Sequence, residues 1–269
     1  MNSMGGNKPK NYIVETALLG QGLISIEDEK ILSVWPKDAL LAWIQKGKIK
    51  IGTIEEFIPA RRESNNWQRL DGITVKNKRQ DDVNAYLTAS GTMVVAKAIG
   101  CPMVVSAGIG GIGDIKDEKL CYDLPALSKL GITLVATSPK DMLDIPGTLN
   151  WLNNHEVRVL GYNTNICNGY ILVQEATELR GQINSQNANK LEYGNNLILN
   201  PIPEKNRLQD LSLLKEAIKA GKEAENQGGI YHPAANACFD RLSLGLSSKI
   251  QLESLISNIE VAKLISKNR

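Results

Sequence analysis

Two side chains and one glycine run in this sequence have the types and settings for chemistry on a small ligand. Lys140 stands three residues past the apolar run Ile132-Thr-Leu-Val-Ala-Thr137, which reads as a strand. In open α/β sheets, ligands bind beyond the carboxyl ends of the strands. A lysine amine at that edge attacks a sugar aldehyde and forms a Schiff base if burial lowers its pKa. Without burial it is a solvated loop lysine. Asp123, in Cys121-Tyr-Asp123-Leu-Pro-Ala-Leu, precedes Lys140 by 17 residues. A lone carboxylate with water can hold a divalent cation beside a substrate, and it can equally cap a helix N-terminus.

The glycine run follows another strand-like stretch, Pro102-Met-Val-Val-Ser106, and its Gly108, Gly110 and Gly113 spell GxGxxG. Glycines there let backbone N–H groups approach an anion. The segment after it, Ile115-Lys-Asp-Glu-Lys-Leu, is charged. That argues against the direct helix start of a nicotinamide or flavin site. A plain turn and a backbone-lined pocket for a small anion or sugar both stay open. In Asn200-Pro-Ile-Pro203 the prolines stiffen the chain after a strand, as in a structural turn. His155 and His232 are far apart, have no metal or triad context, and read as incidental.

Alternating strands and helices must position these groups. Apolar runs predict strands at Tyr12–Leu19, Lys48–Gly52, Gly72–Lys76, Pro102–Ser106, Ile132–Thr137, Val157–Gly161 and Asn195–Asn200. Helices are expected over Ile26–Lys46, Val83–Ile99, Pro146–Asn154, Gly169–Gln186, Leu208–Gln227 and Ile250–Ser266. In the last of these, Leu252, Leu255, Ile256, Ile259 and Ala262 share one face. The alternation reads as α/β with a mostly parallel sheet. The polar stretches Ser64–Gln68 and Asn184–Asn195 read as surface loops, so residues 1–269 form one expected domain, with residues 1–10 a disordered lead.

Composition excludes several classes. With 42% apolar and 22% charged residues the chain is neither disordered nor a disulfide scaffold. A net charge of +2 shows no basic excess for nucleic acid. Four cysteines without a CxxC pair argue against zinc and for reduced thiols. No run approaches a membrane span, and the first residues lack a signal-peptide core, so a cytoplasmic protein is expected.

GIGGIGD at 108–114, YDLPAL at 122–127, TLVATSPKDMLDIPGTLNWL at 133–152, GYNT at 161–164 and LILNPIPE at 197–204 occur in an ordered series. Together they resemble the pseudouridine-5′-phosphate glycosidase family, which includes the indigoidine-synthase-A-like proteins. Ile13–Gly22 is similar to the family's opening strand, and Ser257–Lys263 to its closing helix. The resemblance spans Ile13 to Lys267 and implies cleavage or formation of the C–C bond between ribose 5-phosphate and uracil. It implies Lys140 as the nucleophile that captures C1′ of the ring-opened ribose as an imine, and Glu15 as the acid–base group. Asp123 would hold a divalent cation, usually manganese, through water. Lys76, Thr88, Ser106 and Asn258 would contact the substrate. The implied fold is a three-layer α/β/α sandwich around a mixed, mostly parallel sheet, assembled as a homotrimer. The implied ligand is a small C-nucleoside or sugar phosphate, with neither nucleic acid nor membrane as partner.

Four departures from the family pattern bear on the substrate. Where the family reads Val-His-Arg-Gly after the glycines, this chain has Ile112-Gly-Asp-Ile115. The family's serine two residues before the metal Asp is Cys121, the small residue before the lysine is Pro139, and the histidine of the opening segment is Gln21. A carboxylate at Asp114 beside a phosphate dianion is repulsive, so poor turnover of the 5′-phosphate is expected. That expectation lapses if Asp114 points to solvent and Lys76, Lys78 or Arg79 supplies the charge. The same imine chemistry on another, possibly unphosphorylated sugar is one alternative, and a non-catalytic ligand-binding protein is another.

Overall fold

The computed structural model describes residues 11–63, 67–77, 82–116 and 118–267. The expected disordered lead at residues 1–10, and Lys78 and Arg79, lie outside the described residues. The chain enters along β1 (Tyr12–Val14) and passes through α1 (Ala17–Gln21) and α2 (Asp28–Val34) into a hairpin of β2 (Leu41–Gln45) and β3 (Lys48–Gly52). The hairpin tip places both Lys46 and Gly47 at positive φ, as a two-residue primed turn requires. A capping box between Thr53 and Glu56 opens α3 (Ile54–Arg62). Then come β4 (Gln68–Leu70), α4 (Gly72–Asn77), β5 (Ala85–Leu87), α5 (Ala89–Ile99) and β6 (Met103–Val105). The middle of the chain forms α6 (Asp123–Lys129), β7 (Thr133–Ala136), α7 (Ile145–Asn154), β8 (Arg158–Tyr162), β9 (Ile166–Cys167), β10 (Thr177–Glu178), β11 (Gln182–Ile183) and β12 (Asn196–Leu199). Three helices close it: α8 (Ser212–Asn226), α9 (Tyr231–Leu242) and α10 (Leu246–Ser266).

The main sheet runs β11-β8-β12-β7-β6-β1-β2-β5-β4, with β3 paired to β2. Its pairings are parallel except β2–β3 and β2–β5. The period-2 alternation of strand side chains divides the core between two faces. Val14, Met103, Val105, Val135 and Ile198 meet α1, α2, α3, α9 and α10. Ile13, Val104, Leu134, Ala136, Leu197 and Leu199 meet α5, α6 and α7. Helices therefore cover both sides of a mixed, mostly parallel sheet, as expected.

Five expected elements are corrected. Tyr12–Leu19 is a strand only as far as Val14, and Ala17–Gln21 is the helix α1. Ile26–Lys46 is not one helix: Trp35 turns extended ahead of Pro36, and the apolar run resumes as β2. Gly72–Lys76 is the helix α4 rather than a strand, because Asp71 Oδ1 accepts the Thr74 N–H (2.8 Å) and caps it. Val83–Ile99 begins with β5, and Thr88 starts the helix only after it. Gly169–Gln186 is not helical; it opens on Gly169 at φ +102° and carries β10 and β11.

Leu134 lies fully buried in β7, between the parallel neighbours β6 and β12. Leu134→Ala is expected to lower unfolding free energy by about 2–5 kcal/mol, read from urea denaturation.

Candidate active site

The carboxyl ends of β1, β5, β6 and β7 converge on one cavity. Glu15 N donates to Val105 O (3.0 Å) and Thr16 N to Leu87 O (3.3 Å), which brings the ends of β6 and β5 to β1, and Ser106 N donates to Val135 O (2.9 Å), which joins the end of β7 to β6. β5 arrives from the opposite direction because it is antiparallel to β2. The cavity has two lobes. Glu15, Gln21, Gly108 and Tyr170 line the inner one. Glu118, Cys121, Tyr231 and His232 line the outer one, of about 380 Å³. Arg69, Thr88, Gly110, Asp123 and Lys140 border both. Lys140, Glu15, Asp123 and Thr88, expected from distant parts of the sequence, thus meet at one place.

The electrostatics of the junction favour proton transfer. Burial pushes the Glu15 carboxyl up to about 7 against a hydrogen bond with the Ser106 side chain, with Asp123 adding to the shift and Arg69 and Lys140 opposing it. Burial lowers the Lys140 pKa, Arg69 lowers it further, and Glu118, Cys121 and Asp123 act against them. An amine with depressed pKa and a carboxyl with raised pKa on one cavity are the arrangement expected of a nucleophile and its acid–base partner.

Asp123 stands at the start of α6, but its side chain caps nothing in that helix. Oδ1 accepts the Ser90 N–H (2.9 Å) and Oδ2 the Gly110 N–H (2.8 Å), so it ties the first turn of α5 to the glycine run. The manganese expected there, held through water, would rest on this one carboxylate beside the cationic Lys140 and Arg69.

Three expected substrate contacts stand elsewhere. Ser106 is buried at the end of β6 and donates its hydroxyl to Gly108 O (2.6 Å). Asn258 is buried in α10 and donates to Ser106 O (2.8 Å) and Thr137 Oγ1 (3.0 Å), which braces two strand ends from behind. Lys76 is exposed on α4 with Nζ 3.3 Å from the Tyr122 hydroxyl. Neither Asn258, Ser106 nor Lys76 lines either lobe. The basic group that joins Lys140 at the cavity is Arg69 of β4, which no sequence motif marks. Asp114 is corrected as well: its side chain is 93% exposed and pairs with Lys222 (3.2 Å), outside both lobes. A Cβ at Gly113 would lie 2.6 Å from Leu143 Cδ2, the movable end of that side chain.

Two further groups were missed. Asp141, next to Lys140, accepts the N–H groups of Tyr170 (2.7 Å), Ile171 (2.8 Å) and Leu172 (3.2 Å), and an amide N–H of Gln174 (2.9 Å). It holds the Tyr170 segment against the inner lobe. His232, read as incidental, lies buried with Nε2 2.9 Å from Glu118 Oε2. Burial, Lys140 and Arg69 hold its pKa down to about 4 against the pull of Glu118, so the ring is neutral. Its signal lay in tertiary placement, since α9 brings it to the site from 92 residues beyond Lys140.

Because the folded chain keeps a proton on Glu15 that the unfolded chain has released, stability falls as pH rises from the ordinary carboxylate range to about 7. Glu15→Gln removes that contribution. Urea midpoints at about pH 5 and about pH 8 should therefore differ less in the variant than in the wild type.

Residues 37–268 match the family described as "Indigoidine synthase A like protein". The chain is 26% identical over 235 residues to a pseudouridine-5′-phosphate glycosidase of Petrotoga mobilis, covering 82% of this chain and 77% of that one. To the enzyme of that name from Caldanaerobacter subterraneus it is 28% identical over 237 residues, covering 82% and 76%. Its fold is similar to the crystal structure of an indigoidine synthase A-like protein from Thermotoga maritima, with TM-score 0.78, 22% identity, and 96% and 93% of the two chains covered. It is also similar to a prealnumycin C-glycosynthase in complex with ribulose 5-phosphate, with TM-score 0.74, 18% identity, and 95% and 91% covered. The match takes in Lys140, Asp123, Arg69 and His232, while Glu15 precedes it on the strand that completes the same cavity, and on these grounds the chain belongs to the indigoidine synthase A like protein family.

Proposed function

We propose that this protein cleaves or forms a C-glycosidic bond between ribose 5-phosphate, or a closely related sugar, and a uracil-like base. The observation that carries the reading is the pairing of Lys140, its pKa lowered, with Glu15, its pKa raised to about 7, on one cavity. The relatives named pseudouridine-5′-phosphate glycosidase and the C-glycosynthase fold support the bond type.

In the bond-forming direction the neutral Lys140 amine adds to C1 of the open-chain aldehyde. Water leaves, and an imine to Nζ remains. C5 of the base adds to the imine carbon, whose electron pair moves to Nζ, and the C5 proton then leaves to a base. Closure of the sugar ring expels the lysine amine and regenerates it. Glu15 fits the proton transfers because its carboxyl is close to half-ionised near neutrality. The divalent cation expected at Asp123 stays part of the proposal, held through water.

The exposed Asp114 takes away the reason to expect poor phosphate handling, and Arg69 offers the cavity a guanidinium for an anion. The phosphorylated sugar is therefore retained in the reading. The four buried free cysteines support a reducing compartment, the cytoplasm. Among the described residues no helix is long and apolar enough to cross a membrane. Exposed Ile24, Ile230, Leu244 and Leu246 support self-association, and we keep the homotrimer as part of the proposal.

Incubation with ribose 5-phosphate and borohydride should yield a mass adduct on Lys140. Lys140→Ala and Lys140→Arg should yield none, since guanidinium is not nucleophilic at neutral pH. An adduct on another lysine overturns the assignment. Arg69→Ala should lower kcat/KM for the phosphorylated sugar by about 10-fold or more, as expected for a lost charge-assisted hydrogen bond. The effect on the unphosphorylated sugar should be small, and equal losses on both would remove Arg69 from the anion site.

A further inference from the structure

Arg207 is a buried guanidinium that the proposed reaction leaves unused. It lies beyond β12, is 6% exposed, and spends its donors on one short stretch of chain. Nη1 donates to Asn168 O (3.0 Å), Gly169 O (3.2 Å) and Leu172 O (3.4 Å), and Nη2 to Asn168 Oδ1 (2.7 Å). Asn168 Nδ2 in turn donates to Glu204 Oε1 (2.6 Å), in the turn that leads into Arg207. The other polar edge of the stretch belongs to Asp141, whose carboxylate accepts the N–H groups of Tyr170, Ile171 and Leu172. One strip of backbone, 168–172, is thus gripped by a carboxylate on its N–H groups and by a guanidinium on its carbonyls. Such charge-assisted bonds are strong and directional, and burying a charge at each edge is costly unless the geometry is close. Gly169 sits at the bend with φ +102°. A Cβ there would run into Leu172 O and lie 3.0 Å from Asp141 Oδ1, so glycine lets both grips close.

The strip meets the proposed chemistry at two points. Asp141 directly follows Lys140, so whatever fixes its carboxylate fixes the turn from which the amine projects. Tyr170, within the strip, lines the inner lobe beside Lys140 and Glu15. Arg207 itself lines neither lobe. The pKa of Lys140 is governed by burial, Arg69, Glu118, Cys121 and Asp123, so the link from Arg207 to the amine is one of position. We propose that Arg207 is a positioning residue for Lys140: by holding the carbonyls of 168–172 it keeps their N–H groups aimed at Asp141, and the Lys140 turn in the geometry that imine formation needs. This rests on the Lys140 reading above. A misplacement of about 1 Å at the reacting atoms can cost about 100-fold in rate, so the grip bears on turnover before it bears on binding. A lysine at this position keeps the charge but is a point charge without the planar fork, and it cannot span the same oxygens.

The experiment measures the rate at which borohydride traps the Lys140 adduct with ribose 5-phosphate, across sugar concentration and pH. Wild type is compared with Arg207→Lys and with Glu204→Ala, and urea midpoints are read alongside. Glu204 is exposed, so its removal loosens Asn168 without emptying the core. Arg207→Lys should lower the trapping rate at saturating sugar by about 10- to 100-fold. The half-saturating sugar concentration should change by less than about 3-fold, and the pH midpoint of trapping should stay at the wild-type value. Glu204→Ala should lower the saturating rate by about 2- to 5-fold. A variant that is merely less stable keeps the wild-type rate under conditions where it is folded, and that result overturns the proposal. A loss confined to the half-saturating concentration, or a moved pH midpoint, overturns it too. If Arg207→Lys does not fold, Glu204→Ala decides alone, and an unchanged rate in it overturns the proposal. The absence of an adduct in wild type sinks the Lys140 reading together with the positioning role, whereas a wild-type adduct with unaltered rates in the variants sinks the positioning role alone.

Discussion

The carboxylate of Asp123 holds the cavity together. One oxygen takes the Gly110 N–H and the other the Ser90 N–H, so a single side chain joins the glycine run, the first turn of α5 and the start of α6. The approach is close enough to require glycine: a Cβ on Gly110 would lie 2.1 Å from Cys121 Sγ and 3.2 Å from Asp123 Oδ2. Charge-assisted bonds from buried N–H groups to a carboxylate are among the stronger hydrogen bonds available to a protein. That fixes where Thr88 and Gly110 stand at the junction of the lobes.

Around that anchor, a small set of charges shares a poorly solvated space. Lys140 and Arg69 oppose one another, which favours a neutral amine, while Glu15 is pushed toward its protonated form mainly by burial. Neither shift needs the other group to be removed from the site. Asp141, the residue after the lysine, uses both its oxygens on the 170–174 segment and leaves Lys140 as the side chain of that turn directed to ligand chemistry.

The α8–α9 hairpin closes the outer lobe, and its fastening is polar. Lys222 pairs with Asp114, Glu225 accepts the Lys116 N–H (2.8 Å), and His232 pairs with Glu118. All three partners belong to the stretch after the glycine run, and Asp114 thereby tethers α8. The exposed Lys222–Asp114 pair contributes little stability by itself, and with the other two contacts it registers the hairpin so that His232 faces the lobe.

Much of this was legible in the sequence, and the reason differs by element. Continuous apolar runs marked the central strands β6, β7, β8 and β12, because a strand covered on both faces must be apolar at nearly every position. Lys140 and the glycine run were visible because they follow such strands directly. One end of the sheet was harder: the run holding β2 continued a helical signal, β4 and β5 have three residues each, and β-propensity yielded to a cap at α4. What only the tertiary structure decided was which polar groups share the cavity. Arg69, Asp141 and His232 have no local pattern, since their roles depend on contacts across 29 to 114 positions of sequence or on packing at the site. Asp123 and Asn258 were found by type, but only their partners show that they brace backbone. A sequence names the side chains that can carry a charge or a proton, whereas burial and hydrogen-bond partners, set by the folded chain, decide which of them are left to act.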